Sequence, residues 1–288
     1  MTRRPRSNRP PRLDVPTPPA AGTPVPAAPT QRRLVVAGHV AGPHARMGRA
    51  EVAAVVARLA AGHPAATLGL DLGRITRDEA WVAIKEGWGY DGNAPRASIE
   101  PERTLAGASD AAVRLRAVAQ RGGRVALATG RPASLLGAYR AIAAALADAG
   151  ADVLACEAFG PFGAARSLWW VDGVAVVTDG ASLLADDAIV AGVEWLFAVG
   201  RPDLVIADRG FAAAALGAGH ETVAFADLDA AVLGVAALRD LPVRLLPLDE
   251  QRPPEAYGPI VATLTAPGPH STTPPPGTYA DPTSGGEG

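Results

Sequence analysis

An α/β fold, with a mostly parallel sheet, helices on both faces (three layers) and one β-hairpin insertion, follows from three features of the sequence. From residue 124 onward, short and continuously apolar runs alternate with amphipathic stretches of helical spacing, the pattern of parallel strands covered on both sides. Almost every run is followed at once by polar residues in which Asp, Gly and Arg recur. Ser167–Trp170 and Val174–Val177 flank Asp172-Gly173, a dipeptide suited to a tight hairpin turn.

The elements are expected in this order. Gly48–Ala61 is a helix, with Val52, Val55, Val56 and Leu59 at three- and four-residue spacing. Thr67-Leu68-Gly69-Leu70 reads as a strand ending at Asp71, and Thr76–Glu86 as a helix opened by a capping-box arrangement. A loop through Trp88–Gly92 leads to a helix over Thr104–Gln120. Val125–Ala128 is a strand, and Pro132-Ala133-Ser134 opens a helix with Leu135, Tyr139, Ile142 and Leu146 on one stripe, stopped by Gly150. Asp152–Cys156 is a strand, and the hairpin follows. Helices over Leu184–Val199, Phe211–Ala218 and Asp229–Asp240 then alternate with strands over Leu204–Ala207, Thr222–Phe225 and Val243–Leu246.

Residues 34–266 form the expected single domain. The first thirty residues contain nine prolines, and residues 1–33 almost no large apolar side chains, so they cannot offset the entropy of ordering and are expected to be disordered. The same holds for residues 267–288. Residues 1–33 carry seven Arg and one Asp, a local +6 within a formal net charge of −2. The remainder is therefore acidic, which argues against a nucleic-acid-binding core. Lys85 is the one lysine among 27 basic residues, a bias that fits a GC-rich genome and needs no functional reading. The single cysteine, Cys156, excludes an intramolecular disulfide or a multi-cysteine metal site and reads as a small buried hydrophobe. The arginines near the N-terminus precede no apolar segment, and no run of about 18 apolar residues spans a bilayer, so the expected location is the cytoplasm, away from membranes.

In open parallel sheets ligands bind beyond the carboxyl ends of the strands, so the residues after each strand are the candidates. Thr129-Gly130-Arg131-Pro132, leading into Ser134, is the best anion site: Gly lets the backbone approach, the next helix offers free N–H groups, and Thr129, Arg131 and Ser134 add donors suited to phosphate. The competing reading is a plain helix-entry turn. Asp71, Asp179, Asp208 and Asp227 also follow strands and could hold Mg²⁺, a cation that prefers oxygen ligands; each is otherwise a helix cap. Asp229 is expected only to cap, and Asp208-Arg209 is alternatively an internal pair. The run after the last strand, Asp249-Glu250-Gln251-Arg252, is equally polar. The five histidines show no metal spacing, though His39 and His44, in a Gly/Pro loop, could line a pocket. No P-loop, dinucleotide fingerprint or nucleophile elbow is present.

Over about Gly69–Pro259 the chain resembles an actinobacterial family labelled phosphatase. The similarity rests on Gly69-Leu70-Asp71-Leu72-Gly73, Ala128-Thr129-Gly130-Arg131-Pro132, Trp170–Val176, Pro202–Phe211 and Pro247-Leu248-Asp249-Glu250. A related group of such proteins carries a His-rich stretch after the Asp-Gly that follows the hairpin. Here that place reads Ala181–Asp187, without histidine. The threonine-bearing turn is also similar to one in haloacid-dehalogenase-like phosphatases, which would imply Asp71 as nucleophile. Gly73 stands where that group's second acid belongs, and its downstream lysine is absent.

The expected function is hydrolysis of a small phosphate ester. Asp71 and Asp208 would be the catalytic or metal-holding groups, Thr129, Gly130, Arg131 and Ser134 the phosphate binders, and Asp179, Asp227 and Arg209 the support. The alternative is a non-catalytic sensor of a phosphorylated metabolite or nucleotide that uses the same turn. In either case the partner is a small phosphorylated molecule, and the sequence specifies no oligomeric state.

Overall fold

The structure, a computed structural model, describes residues 32, 35–36, 38–155, 166–185 and 200–267. Cys156, residues 186–199 of the helix expected over Leu184–Val199, and nearly all of both expected tails lie outside these residues.

The main sheet is built on four parallel strands, β3 (Arg124–Ala128), β8 (Leu204–Asp208), β9 (Thr222–Ala226) and β10 (Val243–Pro247), in the order β10-β9-β8-β3. β8 and β9 are buried at every position, as their unbroken apolar sequences require for strands covered on both faces. The free edge of β3 is shared end to end. Its first half pairs with β4 (Asp152–Val153), its last two residues with β6 (Val174–Thr178), both in parallel. β5 (Ser167–Val171) and β6 form the expected hairpin, with Asp172 and Gly173 at φ 48° and 81°. β7 (Leu183–Leu184) pairs antiparallel with β6, so Leu184 ends a strand rather than starting a helix.

Helices cover both faces. On one side lie α4 (Pro101–Gln120), α5 (Pro132–Asp148) and α8 (Gly258–Thr265), packed on one another and on the strands. Leu135, Tyr139, Ile142 and Leu146 of α5 are all buried as the stripe implied, and the Tyr139 ring meets Phe225 of β9 at 5.0 Å. On the other side α6 (Arg209–Gly217) and α7 (Ala231–Leu238) are the crossovers β8-α6-β9 and β9-α7-β10. α1 (Arg49–Ala60) and α3 (Arg77–Trp88) pack outside α7. α3 starts at a complete capping box between Thr76 and Glu79. Among the described residues no helix is long and apolar enough to cross a membrane.

β1 (Gly42–Gly48) and β2 (Arg96–Ile99), for which the sequence sets no expectation, form an antiparallel pair separate from the main sheet. Two segments depart from expectation. Thr67–Leu70 is not a strand: α2 (Pro64–Thr67) ends there, and Leu68 and Gly69 take left-handed conformations at φ 51° and 77° that no strand accommodates. A 3₁₀ turn at Leu228–Ala230, capped by Asp227, precedes α7, so the cap is Asp227 and not Asp229.

The chain reverses direction across the sheet between β3 and β8. From β3 it moves outward to β4 and β6; from β8 it moves the other way to β9 and β10. Ligand crevices of open α/β sheets form at such a switch point, at the carboxyl ends of the strands.

α4 lies directly on β10 through Gly107, where an added Cβ would stand 2.5 Å from the Leu245 carbonyl oxygen and 3.2 Å from Leu246 Cα. Backbone cannot yield as a flexible side chain does. Gly107→Ala should therefore lower stability by about 1–3 kcal/mol, read from the urea midpoint.

Candidate functional site

Asp208 ends β8 at the switch point, and its carboxylate reaches across to the turn after β3. It accepts the Thr129 hydroxyl proton at Oδ2 and the Gly130 N–H at Oδ1, 2.7 Å away. Thr129 Oγ1 in turn accepts the Arg131 N–H at 3.0 Å, and its own N–H is fixed to Ala175 of β6 at 3.0 Å. Thr129, Gly130 and Asp208 thus form one unit, in which the donors expected to cradle an external anion already hold an internal one. Asp208 is fully buried, and burial pushes its carboxyl up to about 6, against the pull of Thr129, Gly130, Arg131 and Arg209.

Arg209 follows in the left-handed region at φ 44°, a strained position for a side-chain-bearing residue. Nη1 of its guanidinium meets Asp229 at 2.5 Å and Glu250 at 3.4 Å, beyond β9 and β10, rather than forming the internal pair with Asp208 that the sequence offered as an alternative.

The loop after β10 folds back over these strand ends. Leu248 N–H bonds to Ala226 O, and the Glu250 carboxylate accepts the Asp227 N–H at 3.2 Å. Ser134 of α5 donates its hydroxyl proton to Glu250 O at 2.6 Å, an internal bond rather than one kept for a ligand. Tyr257 donates to Asp249 O at 2.9 Å, and Arg252 pairs with the Asp249 carboxylate at 2.6 Å. Glu250 is wholly buried. Burial drives its carboxyl well up; Arg209 opposes this, and Asp208, Asp229 and Asp227 add to it. The Asp227 carboxyl is also raised, by burial first, against the bond from His44. Burial thus shifts all three carboxyls, Asp208, Asp227 and Glu250, in the same direction, upward.

His44, from β1, completes the group. Its Nε2 lies 2.9 and 3.1 Å from the two Asp227 oxygens and 3.9 Å from Asp249 Oδ1. One ligand atom from each of His44, Asp227 and Asp249 falls within 4.8 Å of the others, so this buried group could hold a metal ion. A set with one imidazole suits a borderline divalent ion better than Mg²⁺, which prefers an all-oxygen shell. Burial opposes a positive charge on His44, and Asp227, Asp249 and Asp229 outweigh that, so its pKa is raised.

The remaining expected residues lie apart. Asp71 is exposed and accepts the Gly73 N–H in a local turn. Its neighbours fix its place: Leu70 packs on Gly217 at the end of α6, and Arg239, just past α7, donates to the Leu72 and Arg74 carbonyls. Both helices run against the strands, so these ends mark the amino edge of the sheet, opposite Asp208. Asp71 and Asp208 therefore cannot share a metal, and Asp71 is not the strand-end nucleophile that the haloacid-dehalogenase comparison implied. Asp179 stays at the carboxyl edge after β6, but its carboxylate is bound to the Ala181 and Ser182 N–H groups, which lower its pKa. Sequence reasoning left out Glu250 and Asp249, although the polar run after β10 signalled them, and gave His44 no partner. Nothing in the sequence joins residues 44 and 227.

A family model described as Phosphatase matches residues 28–267, and the chain belongs to that family. A Streptomyces coelicolor protein named Phosphatase SCO2771 is 33% identical over 266 residues, covering 84% of this chain and 97% of the relative. No solved structure matches the chain.

The raised carboxyl of Asp208 has a thermodynamic consequence. The folded chain keeps this proton up to about pH 6, whereas the unfolded chain loses it near 3.8. Between those values the native state binds more protons, so stability falls as pH rises from about 4 to 6. The unfolding free energy of the protein relative to Asp208→Asn should drop by on the order of 2 kcal/mol across that window. A difference that stays flat in denaturant titrations would mean that Asp208 is ionised throughout.

Proposed function

We propose that the chain hydrolyses a phosphate ester of a small molecule at the carboxyl edge of β3, β8 and β9. One observation carries the reading: at the switch point of the sheet, Asp208 grips the Thr129-Gly130 turn and so fixes where Arg131 and the start of α5 stand. Membership of the Phosphatase family and the relative's name support the reaction class.

In this reading Asp208 is a positioning residue, since both its oxygens are engaged and the residue is buried. Arg131 and Arg252, both partly exposed at the rim, receive the phosphoryl oxygens, for which the guanidinium fork is suited. Arg209, Asp227 and Glu250 hold the strand ends beneath them. Asp71 and Asp208, at opposite edges, would not hold Mg²⁺ together, and the His44 group contains an imidazole, which Mg²⁺ disfavours.

Turnover of a panel of small phosphomonoesters, p-nitrophenyl phosphate among them, tests this. Arg131→Ala should raise KM and lower kcat/KM by about 100-fold or more. In the unaltered protein log(kcat/KM) should rise with pH and bend near 6, as Asp208 ionises and takes up both of its bonds. Asp208→Asn should remove the bend. Binding of inorganic phosphate without any turnover would instead favour the sensor alternative.

A further inference from the structure

His44 sits on a segment that neither the sequence pattern nor the main sheet ties to the site, yet its side chain is 1% exposed and lies against Asp227. The state of its ring can be read from what surrounds each nitrogen. Nδ1 accepts two backbone N–H groups, those of Arg46 and Met47, each at 3.1 Å. A ring nitrogen that accepts carries no proton, so the proton is on Nε2, where both Asp227 oxygens receive it.

A metal-bound histidine shows the reverse arrangement. Its free nitrogen is protonated and donates to a carbonyl or carboxylate, which orients the ring and strengthens the ligand. For Nε2 of His44 to bind a metal, the proton would have to move to Nδ1, where it would point at two N–H groups. The spacing of His44, Asp227 and Asp249 suits a cation; the hydrogen bonds on the far side of the ring do not.

We infer that His44 is a positioning residue and not a metal ligand: its Nε2–H fixes the Asp227 carboxylate at the corner where β9 meets the loop after β10. Asp227 transmits this inward, since its own N–H is held by Glu250 and its Oδ1 also accepts the Leu228 N–H. The same strap is tied at two further points of that loop, by the Asp249 N–H to Val40 O and by Arg46 to Gln251. The β1 segment thereby becomes one wall of the site.

The role in turnover rests on the phosphatase reading; the state of the ring does not. Long-range ¹H–¹⁵N correlation on the full chain with ¹⁵N-labelled histidine, at pH 7.5, should show His44 protonated at Nε2 and bare at Nδ1. Equimolar Zn²⁺ or Co²⁺ should leave that signature unchanged. A ring protonated at Nδ1, or one metal ion bound per chain and lost in His44→Gln, would overturn the inference. Two substitutions then separate the halves of the ring: Gln sets an amide nitrogen near the place of Nε2, and Asn sets an oxygen near that of Nδ1. In the phosphomonoester assay His44→Gln should keep kcat within about 10-fold, while His44→Asn should lose about 100-fold in kcat with KM little changed. The reverse ranking would assign the effect to the turn at Arg46 and Met47 and overturn the positioning of Asp227. If either variant melts below the assay temperature, the ring signature of the unaltered protein decides. An unaltered protein without phosphomonoester turnover would defeat the functional reading and leave the ring state to be judged on its own.

Discussion

The architecture of the site depends on a buried carboxylate spanning two strands. Asp208 is removed from water, a state that costs several kcal/mol for an ionised group without partners. The Thr129 hydroxyl and the Gly130 N–H offset that cost, and they can do so only if β3 and β8 end at the same level. Their pairing in register, from Val125 with Leu204 to Ala128 with Ala207, provides the level. Once Asp208 is committed to β3, the chain must turn at once, and Arg209 takes the strained conformation that sends its charge toward Glu250 and Asp229. Glu250 then binds the start of the segment after β9, and Asp227 binds His44. The polar edge is one connected network, each link of which orients the next.

Much of this edge was legible in the sequence because of a simple asymmetry. Buried parallel strands must be apolar throughout, so β8, β9 and the end of β3 stand out as runs. The first polar residue after such a run must lie at the carboxyl edge. Thr129, Asp208 and Asp227 were found on that ground. The rule failed at Asp71, because Leu68 and Leu70 are apolar and two apart, as in a strand, while left-handed backbone at Leu68 and Gly69 turns the chain instead. Both leucines are buried all the same, so the apolar pattern was sound and only its period misled.

The rest was hidden for other physical reasons. β1 reads Gly-Pro-His-Ala-Arg-Met-Gly, with no alternation and little apolar content, and its partner β2 lies some fifty residues away. The link from His44 to Asp227 crosses 183 residues, and a single histidine in a Gly/Pro segment gives no sign of its partner. Asp249 and Glu250 were visible as a polar run, but such runs after a strand are ordinarily solvated loops. Here the loop turns back beneath Ser134 and Tyr257, and their bonds to its carbonyls bury it.

The charge pattern of the edge bears on what it can receive. Asp208, Asp227, Asp249 and Glu250 make a carboxylate floor that, fully ionised, would repel a phosphate dianion. Burial opposes that state. Glu250 is driven well toward its neutral form, Asp227 is raised as well, and Asp249 is paired with Arg252. The Thr129-Gly130 turn is filled by Asp208, so an incoming phosphoryl group cannot rely on those backbone donors. In the phosphatase reading it would meet side chains, and Arg131 and Arg252 are partly exposed cations at this edge. In that reading, a floor whose charging burial opposes, set beneath partly exposed arginines, would reconcile an acidic sequence with an anionic ligand. The residues that best fit a phosphate cradle in the sequence, Thr129 and Gly130, are engaged by Asp208 instead.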